Sequence, residues 1–371
     1  MKNKNFEVYF DFGSSKIRAG VINKKNTLKN FYDESEFFSN YENSEFEIKK
    51  IIFNIEKKTN EYLNSINLMV DSAEMLSINL SLCKNVDKSK LTKEDIQFLI
   101  KDAKQQILRN YSSQKIIHII IKNYKINKID YDFLPTEINC YSLSIDIIFI
   151  CVPTIIVDKI KKLFGKFNIF INQISFSSYA KSLNYKNNFP DNKNIAFIDM
   201  GYKKTSILYY KGNNISFFNI IPIGGNHITK DLSKILNIDL LKAEKTKLNF
   251  GKNESFDDEK NLPLELTQNI IFARIEEILE LCIEAIRLNE NYEQQNQFKM
   301  VLMGEGSKIL DNKFKEKISF LQEINLLEED TLSICESALK LSNGTNKQEV
   351  IVIPKKSTKI GFFEKFFYLF R

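Results

Sequence analysis

The sequence predicts an α/β fold in which a two-domain body arises by duplication. Three observations point there. A strand–turn–strand unit occurs twice, about half the chain apart. A mixed β and α stretch sits inside the first half. Two strand–glycine–helix elements follow in the second half. A chain of 371 residues can bury two cores, and 43% hydrophobic with 27% charged residues is ordinary globular composition.

The first unit is "VYFDFGSSKIRAGVIN", from Val8, and the second is "IAFIDMGYKKTSILYY", from Ile195. Each is a β-rich run ending in Asp-x-Gly, then a polar turn, then a second β-rich run, which predicts a hairpin opening each domain. Asp11 and Gly13 correspond to Asp199 and Gly201. A glycine in a tight turn lets backbone N–H groups come close to phosphates, and Ser14, Ser15 and Lys16 add donors. An Asp at each strand end suits Mg²⁺ held through water, because magnesium prefers oxygen ligands and keeps part of its hydration shell. Taken singly, both stretches also read as ordinary hairpins with acidic turns.

The third element, "IIPIGGNHITKDLSKIL", runs from a strand through Gly224, Gly225 and Asn226 into a helix, and glycines at a helix N-terminus suit an anion. The fourth, "KMVLMGEGSKIL", ends a strand at Gly304, Glu305, Gly306 and Ser307 before another helix. Between them Glu244 and Lys247 share a helical face, suited to the ribose and base of a nucleotide or simply to a surface salt bridge.

Inside the first half, "LTKEDIQFLIKDAKQQIL" predicts a helix capped by Thr92 with Asp95 in its first turn. "KIIHIIIKN" and "SIDIIFICVP" read as buried strands, and His118 within the first reads as a satisfied core histidine. "TIIVDKIKKLFGKF" after Pro153 reads as an amphipathic helix.

The end of the chain, "GFFEKFFYLFR", places Ile360, Phe363, Phe366, Phe367 and Phe370 on one helical face, flanked by Phe362 and Leu369. The run is far shorter than the roughly 20 residues a bilayer span needs. Lys355, Lys356 and Lys359 precede it, where anionic headgroups would hold them. It reads either as a helix docked on its own domain or as a tethered membrane-surface helix, and the polar stretch from Ser342 favours the tether.

The net charge of +6 does not indicate a polyanion partner. Only five of the 53 basic residues are Arg, acidic residues are interspersed, and no basic–aromatic RNA motif occurs, so nucleic acid is not expected as a partner. Five scattered cysteines without a CxxC argue against a disulfide framework, and two histidines do not make a His-based metal site. No G-x-S-x-G supports a serine hydrolase. No signal peptide precedes the first strand pattern, so a reduced, cytosolic setting is expected.

The order of these motifs resembles the actin-like ATPase superfamily. Residues 11–16 are similar to its first phosphate segment, 199–205 to its second and 303–307 to its adenosine segment. Within the superfamily the chain most resembles the FtsA family of bacterial division proteins. "GGNHITKDL" (224–232), "AEKTK" (243–247) and "IIFARIEEILELCIEAI" (270–286) carry that narrower resemblance. It implies an actin-like (ribonuclease H-like) duplicated two-domain α/β fold with an inserted subdomain 1C and a C-terminal amphipathic helix. Residues 6–78 with 176–191 would form subdomain 1A, 79–175 subdomain 1C, 192–226 with 299–341 subdomain 2A, and 227–298 subdomain 2B. Residues 342–358 would be a linker and 359–371 the membrane-binding helix.

The resemblance implies ATP and Mg²⁺ as ligands, self-polymerisation, binding of FtsZ through residues 256–294, and recruitment of later division proteins. It places the chain on the cytoplasmic side of the inner membrane at the division site. Two departures stand out. Lys203 and Lys204, ahead of Thr205, replace a glycine and a threonine of the second phosphate turn, and Glu305 replaces a glycine of the adenosine segment. The lysines would neutralise phosphate charge or crowd the turn. No general base is identified, so nucleotide binding is expected with weak hydrolysis at most. The alternatives are a PilM-like pilus assembly protein, or a small-molecule kinase, which would need an acidic base and an intact second turn.

Overall fold

The computed structural model describes residues 5–24, 29–36, 44–86, 90–132, 134–135, 138–190, 193–252, 264–289, 298–310, 324–343 and 348–350. The tail positions Ile360, Phe362, Phe363, Phe366, Phe367, Leu369 and Phe370 lie outside the described residues, as does the expected helix at 359–371.

Two sheets of five strands share one topology. The first joins β1 (Phe6–Phe12), β2 (Lys16–Asn23), β3 (Phe31–Glu36), β4 (Ser65–Val70) and β9 (Phe170–Phe176) in the order β3-β2-β1-β4-β9. The second joins β10 (Asn194–Met200), β11 (Thr205–Lys211), β12 (Asn214–Ile221), β13 (Lys299–Met303) and β14 (Ile324–Leu326) in the order β12-β11-β10-β13-β14. In both, the first three strands are antiparallel and the last two run parallel to the first. Short turns permit the antiparallel meander. The parallel step needs a crossover, supplied in the first half by α1 (Ser44–Thr59). In the second half α5 (Gly225–Ile235), α6 (Leu240–Lys252) and α7 (Leu264–Asn289) fill that role.

Residues alternate along β10, and the two halves share a core because of it. Ile195 and Phe197 join the core of the first domain, whereas Ala196, Ile198 and Met200 face α5 and α7. The α7 stripe of Ile271, Ile275, Ile278, Leu279, Cys282 and Ile286 closes that second core. Arg274 donates Nε and Nη2 to Asp231 at 2.6 and 3.1 Å, pinning α7 to α5.

The insert is an antiparallel sheet of β5 (Leu76–Asn85), β8 (Ser142–Pro153) and β6 (Gln114–Ile126), with β7 (Ile129–Tyr131) paired to β6. Helix α2 (Lys93–Asn110) covers one face through Leu99, Ala103 and Ile107. Thr92 and Asp95 form the expected reciprocal cap. The other face is not a free surface: Ile117, Ile120, Ile148 and Ile150 belong to the first-domain core.

The observed boundaries differ from those expected at 79–175. The insert begins with β5 at Leu76, and the chain re-enters the first domain at α3 (Thr154–Gly165). Phe164 of α3 packs edge-on against Phe10 of β1, ring centroids 5.1 Å apart. Helix α4 (Ser177–Lys186) follows β9 directly. Near the end, α8 (Thr331–Ser342) carries Ile334, Cys335 and Ala338 into the first-domain core, although its sequence position groups it with the second. A Cβ on Gly20 would come within 2.5 Å of Cys335 Cβ, so glycine there lets α8 lie on β2.

Within the expected linker 342–358, Ser342 closes α8 and β15 (Glu349–Val350) pairs antiparallel with β6. The Gln348 amide accepts from Ile215 N–H of β12 at 3.0 Å and donates to Ile121 O of β6 at 3.1 Å. His118 is buried and satisfied. Its Nδ1 meets Glu349 Oε1 at 2.6 Å, and its Nε2 accepts from Phe176 N–H at 2.8 Å. This short stretch therefore fastens the insert to the second domain.

Candidate functional site

The two hairpins are geometrically equivalent. Gly13 N–H donates to Lys16 O at 3.1 Å, and Gly201 N–H donates to Lys204 O at 2.9 Å. Asp11 therefore pairs with Asp199 by position, and Lys16 with Lys204. Both turns border a cleft between the domains, lined by Asp11, Gly13, Ser14, Ser15, Lys16 and Gly201. A contiguous part is lined by Gly225, Glu244, Lys247 and Gly306. The structure thus brings these ten predicted residues, with Asp199 and Gly304, to one place.

Several of the expected set also, or instead, hold the second turn in place. The amides of Gly225 and Asn226 donate to Gly201 O at 2.9 Å and Tyr202 O at 2.7 Å, so this helix N-terminus braces the second turn. A Cβ on Gly224 would lie 2.5 Å from Gly201 O, which explains glycine there by close packing of backbone. Thr205 Oγ1 donates to Ile223 O, and Ser307 Oγ donates to Gly304 O. Lys203 is exposed. Lys204 is buried, and its ammonium lies 2.5 Å from Asp71 Oδ1, so its charge is committed to a carboxylate after β4.

Lys247 Nζ donates to Glu244 Oε2 at 2.7 Å, to Thr229 Oγ1 at 2.9 Å and to Gly225 O at 3.1 Å. Burial pushes the Lys247 pKa down against the pull of Glu244. The pair forms a rigid wall of the cleft, with polar atoms already in use.

Sequence reasoning missed four charged residues of the cleft, Arg18, Asp71, Lys181 and Glu329. Arg18 of β2 donates Nη1 to Asp11 Oδ2 at 3.0 Å and Nη2 to Glu305 Oε1 at 2.6 Å. Lys181 of α4 holds Asp199 Oδ2 at 2.8 Å and Glu329 Oε2 at 3.3 Å. Glu329 Oε2 also accepts from Gly304 N–H at 2.7 Å. Lys181, Arg18 and Asp71 come from the first half, and Asp199, Glu329, Glu305 and Lys204 from the second. The domains are therefore tied by opposite charges crossing in both directions.

These charges show in the acidities. Burial favours protonated carboxyls, yet Lys181 and Lys204 outweigh it at Asp199 and hold that group below the usual range. Glu329 goes up, through burial and the nearby Asp199. Asp71 is pushed up to about 6 by burial despite Lys204. Three carboxylates share two ammonium groups, and Asp199 takes the larger share.

Glu305 sits opposite. Burial alone would raise it, but Arg18, Lys308 and Lys16 bring it to about 2. A depressed folded-state pKa stabilises the fold above the ordinary value of 4.5, and the gain is lost as pH falls towards 2. Wild type is therefore expected to exceed Glu305→Gln in stability by on the order of 2 kcal/mol at neutral pH, after allowing for partial exposure. Urea melts at stepped pH should show this gap closing between 4.5 and 2.

The glycine turns, donor residues and polar walls fit a nucleotide. Asp11 Oδ1 and Glu329 Oε1, on two residues that line this cleft, are buried with no hydrogen-bond partner among the described residues. The same residues do not fit the expected magnesium pair. Asp199 is engaged by Lys181, and one oxygen of Asp11 by Arg18. Among the described residues no group of three or more His, Cys, Asp or Glu is placed to hold a metal.

Duplicated five-stranded sheets clasping a cleft lined by both hairpin turns define an actin-like ATPase fold. The solved PilM-PilN type IV pilus biogenesis complex is similar in fold, with a TM-score of 0.60 over 88% of this chain and 89% of that one, at 10% identity. A family profile described as Cell division protein FtsA matches residues 196–302. The chain is 25% identical over 351 residues to Cell division protein FtsA of Buchnera aphidicola subsp. Acyrthosiphon pisum (strain APS), covering 83% of this chain and 82% of that protein. It is 28% identical over 204 residues to the FtsA of Buchnera aphidicola subsp. Baizongia pistaciae (strain Bp), covering 55% of this chain and 48% of that protein. Over most of its length the chain is thus similar to FtsA cell-division proteins, on an actin-like ATPase fold.

Proposed function

We propose that this protein is a division adaptor that binds ATP between its domains, self-associates, and ties FtsZ filaments to the inner face of the cytoplasmic membrane. The carrying observation is the extended similarity to FtsA proteins, which spans most of the chain. The cleft supports ATP as a structural ligand: its walls come from both domains, so a ligand there favours the closed pair by mass action. With no base identified and Lys204 committed to Asp71, turnover is slow or absent.

Membrane attachment is assigned to residues 359–371 through the apolar set Ile360, Phe363, Phe366, Phe367 and Phe370. A buried Phe gains roughly 1.5–3 kcal/mol at most. Ordering about ten residues costs on the order of 1 kcal/mol each. One tail therefore binds lipid weakly, and many tails on a polymer bind together. Phe363→Glu with Phe367→Glu is expected to abolish sedimentation with anionic liposomes while leaving the thermal melt unchanged. Undiminished sedimentation would assign the membrane contact elsewhere.

The adaptor reading is tested by pelleting with FtsZ filaments, with and without liposomes. Co-pelleting with filaments, extended to liposomes when both are present, is the expected result. The second reading is a PilM-like role in pilus assembly, for which the fold likeness to the PilM-PilN type IV pilus biogenesis complex is the motive. Absence of recruitment by FtsZ in either condition would turn the choice towards it.

A further inference from the structure

We propose that Lys181 takes the place of the divalent cation in this cleft, so that the ligand it accepts is a metal-free nucleotide polyphosphate. The inference rests on the nucleotide reading above and adds which cation the site uses. Lys181 is 5% exposed and borders the same part of the cleft as Gly13, Ser14 and Gly201. Its ammonium is fixed by Asp199 Oδ2 at 2.8 Å and Glu329 Oε2 at 3.3 Å, and Glu329 is itself positioned by Gly304 N–H at 2.7 Å.

Each carboxylate on the cleft floor thus has a cation built into the chain. Asp199 and Glu329 have Lys181, Asp71 has Lys204, and Asp11 has Arg18. What remains among the described residues is one oxygen on each of two carboxylates, Asp11 Oδ1 and Glu329 Oε1, whose partner oxygens are already held by Arg18 and Lys181. Hydrated magnesium needs near-octahedral oxygen coordination and gains most from carboxylates with free charge. It would also meet a fixed positive charge where water screens little. An ammonium has three N–H donors and no acceptor. Two of them face carboxylates, and the third suits a phosphate oxygen, which lysine binds as a point charge.

The test is titration calorimetry of ATP into the full chain, in excess magnesium and in EDTA. Equal affinity within about twofold is expected. A tenfold or greater loss in EDTA overturns the inference and leaves the nucleotide reading standing. No binding in either buffer overturns both. Lys181→Met with Glu329→Gln removes one charge of each sign and frees Asp199. In that variant ATP affinity is expected to fall at least tenfold in EDTA, and Mn²⁺ added with ATP should give a protein-bound paramagnetic resonance signal that wild type lacks. A bound Mn²⁺ signal in wild type of the same strength would assign the cation role to a metal and sink the proposal.

Discussion

Lys181→Met is expected to cost about 3–5 kcal/mol, because it strands two buried carboxylates on one missing ammonium. Asp199 and Glu329 are each about 5% exposed or less at the side chain, so water cannot take over. At roughly 2–4 °C per kcal/mol, the thermal midpoint should fall by about 6–20 °C. The loss comes from uncompensated charge rather than from packing. Lys181→Met combined with Asp199→Asn and Glu329→Gln should therefore recover most of it, since an apolar or neutral replacement of a whole buried cluster is often tolerated. A triple variant as unstable as the single one would show that the lysine's methylenes, not its charge, hold the domains together. Differential scanning calorimetry of the three proteins decides between these.

Gly304→Ala should be comparably severe for a different reason. Gly304 has φ +93°, where side chains other than glycine's are strained, and its Cβ would fall 2.3 Å from Asp199 Oδ1 and 2.6 Å from Met200 O. The dihedral alone costs about 1–3 kcal/mol, and the collision forces the β13 end away from β10. Two controls separate strain from collision. Gly212 has φ +56° and open space around its Cβ, so Gly212→Ala should cost about 1 kcal/mol. Gly165 ends α3 with nothing within 4 Å, and Gly165→Ala should be neutral or stabilising by up to about 1 kcal/mol. Chemical denaturation midpoints of the three variants should fall in that order.

The duplication was legible because each hairpin is a local object, with alternating residues, an Asp-x-Gly turn and a return strand within sixteen residues. The α2 cap was legible for the same reason. The clamp was not. Lys181 and Glu329 are 148 residues apart, and nothing local marks either one. Arg18 did carry a signal. The hairpin register sets it opposite Asp11, so pairing the strands residue by residue would have placed a guanidinium on that carboxylate. Gly224, Gly225 and Asn226 were placed beside the right turn, but the sequence does not show that the Gly225 and Asn226 amides go to its carbonyls, because a helix N-terminus can donate to backbone oxygens as readily as to phosphate. The insert boundary slipped because an amphipathic helix such as α3 declares that it has an apolar face, not which sheet receives it.

The strand at Glu349–Val350 shortens the leash. A tether free from Asn343 would offer sixteen residues before the tail at 359, a reach of roughly 55 Å at full extension. Fastened to β6 at Val350, the same chain has eight residues left and a reach of roughly 28 Å. The anchor point is the insert edge, not the end of α8. If residues 359–371 hold a membrane surface as proposed, the β6 edge rides close above it, within about one small-domain diameter. Under that proposal the stand-off limits how far the body can tilt and sets which of its sides faces the membrane.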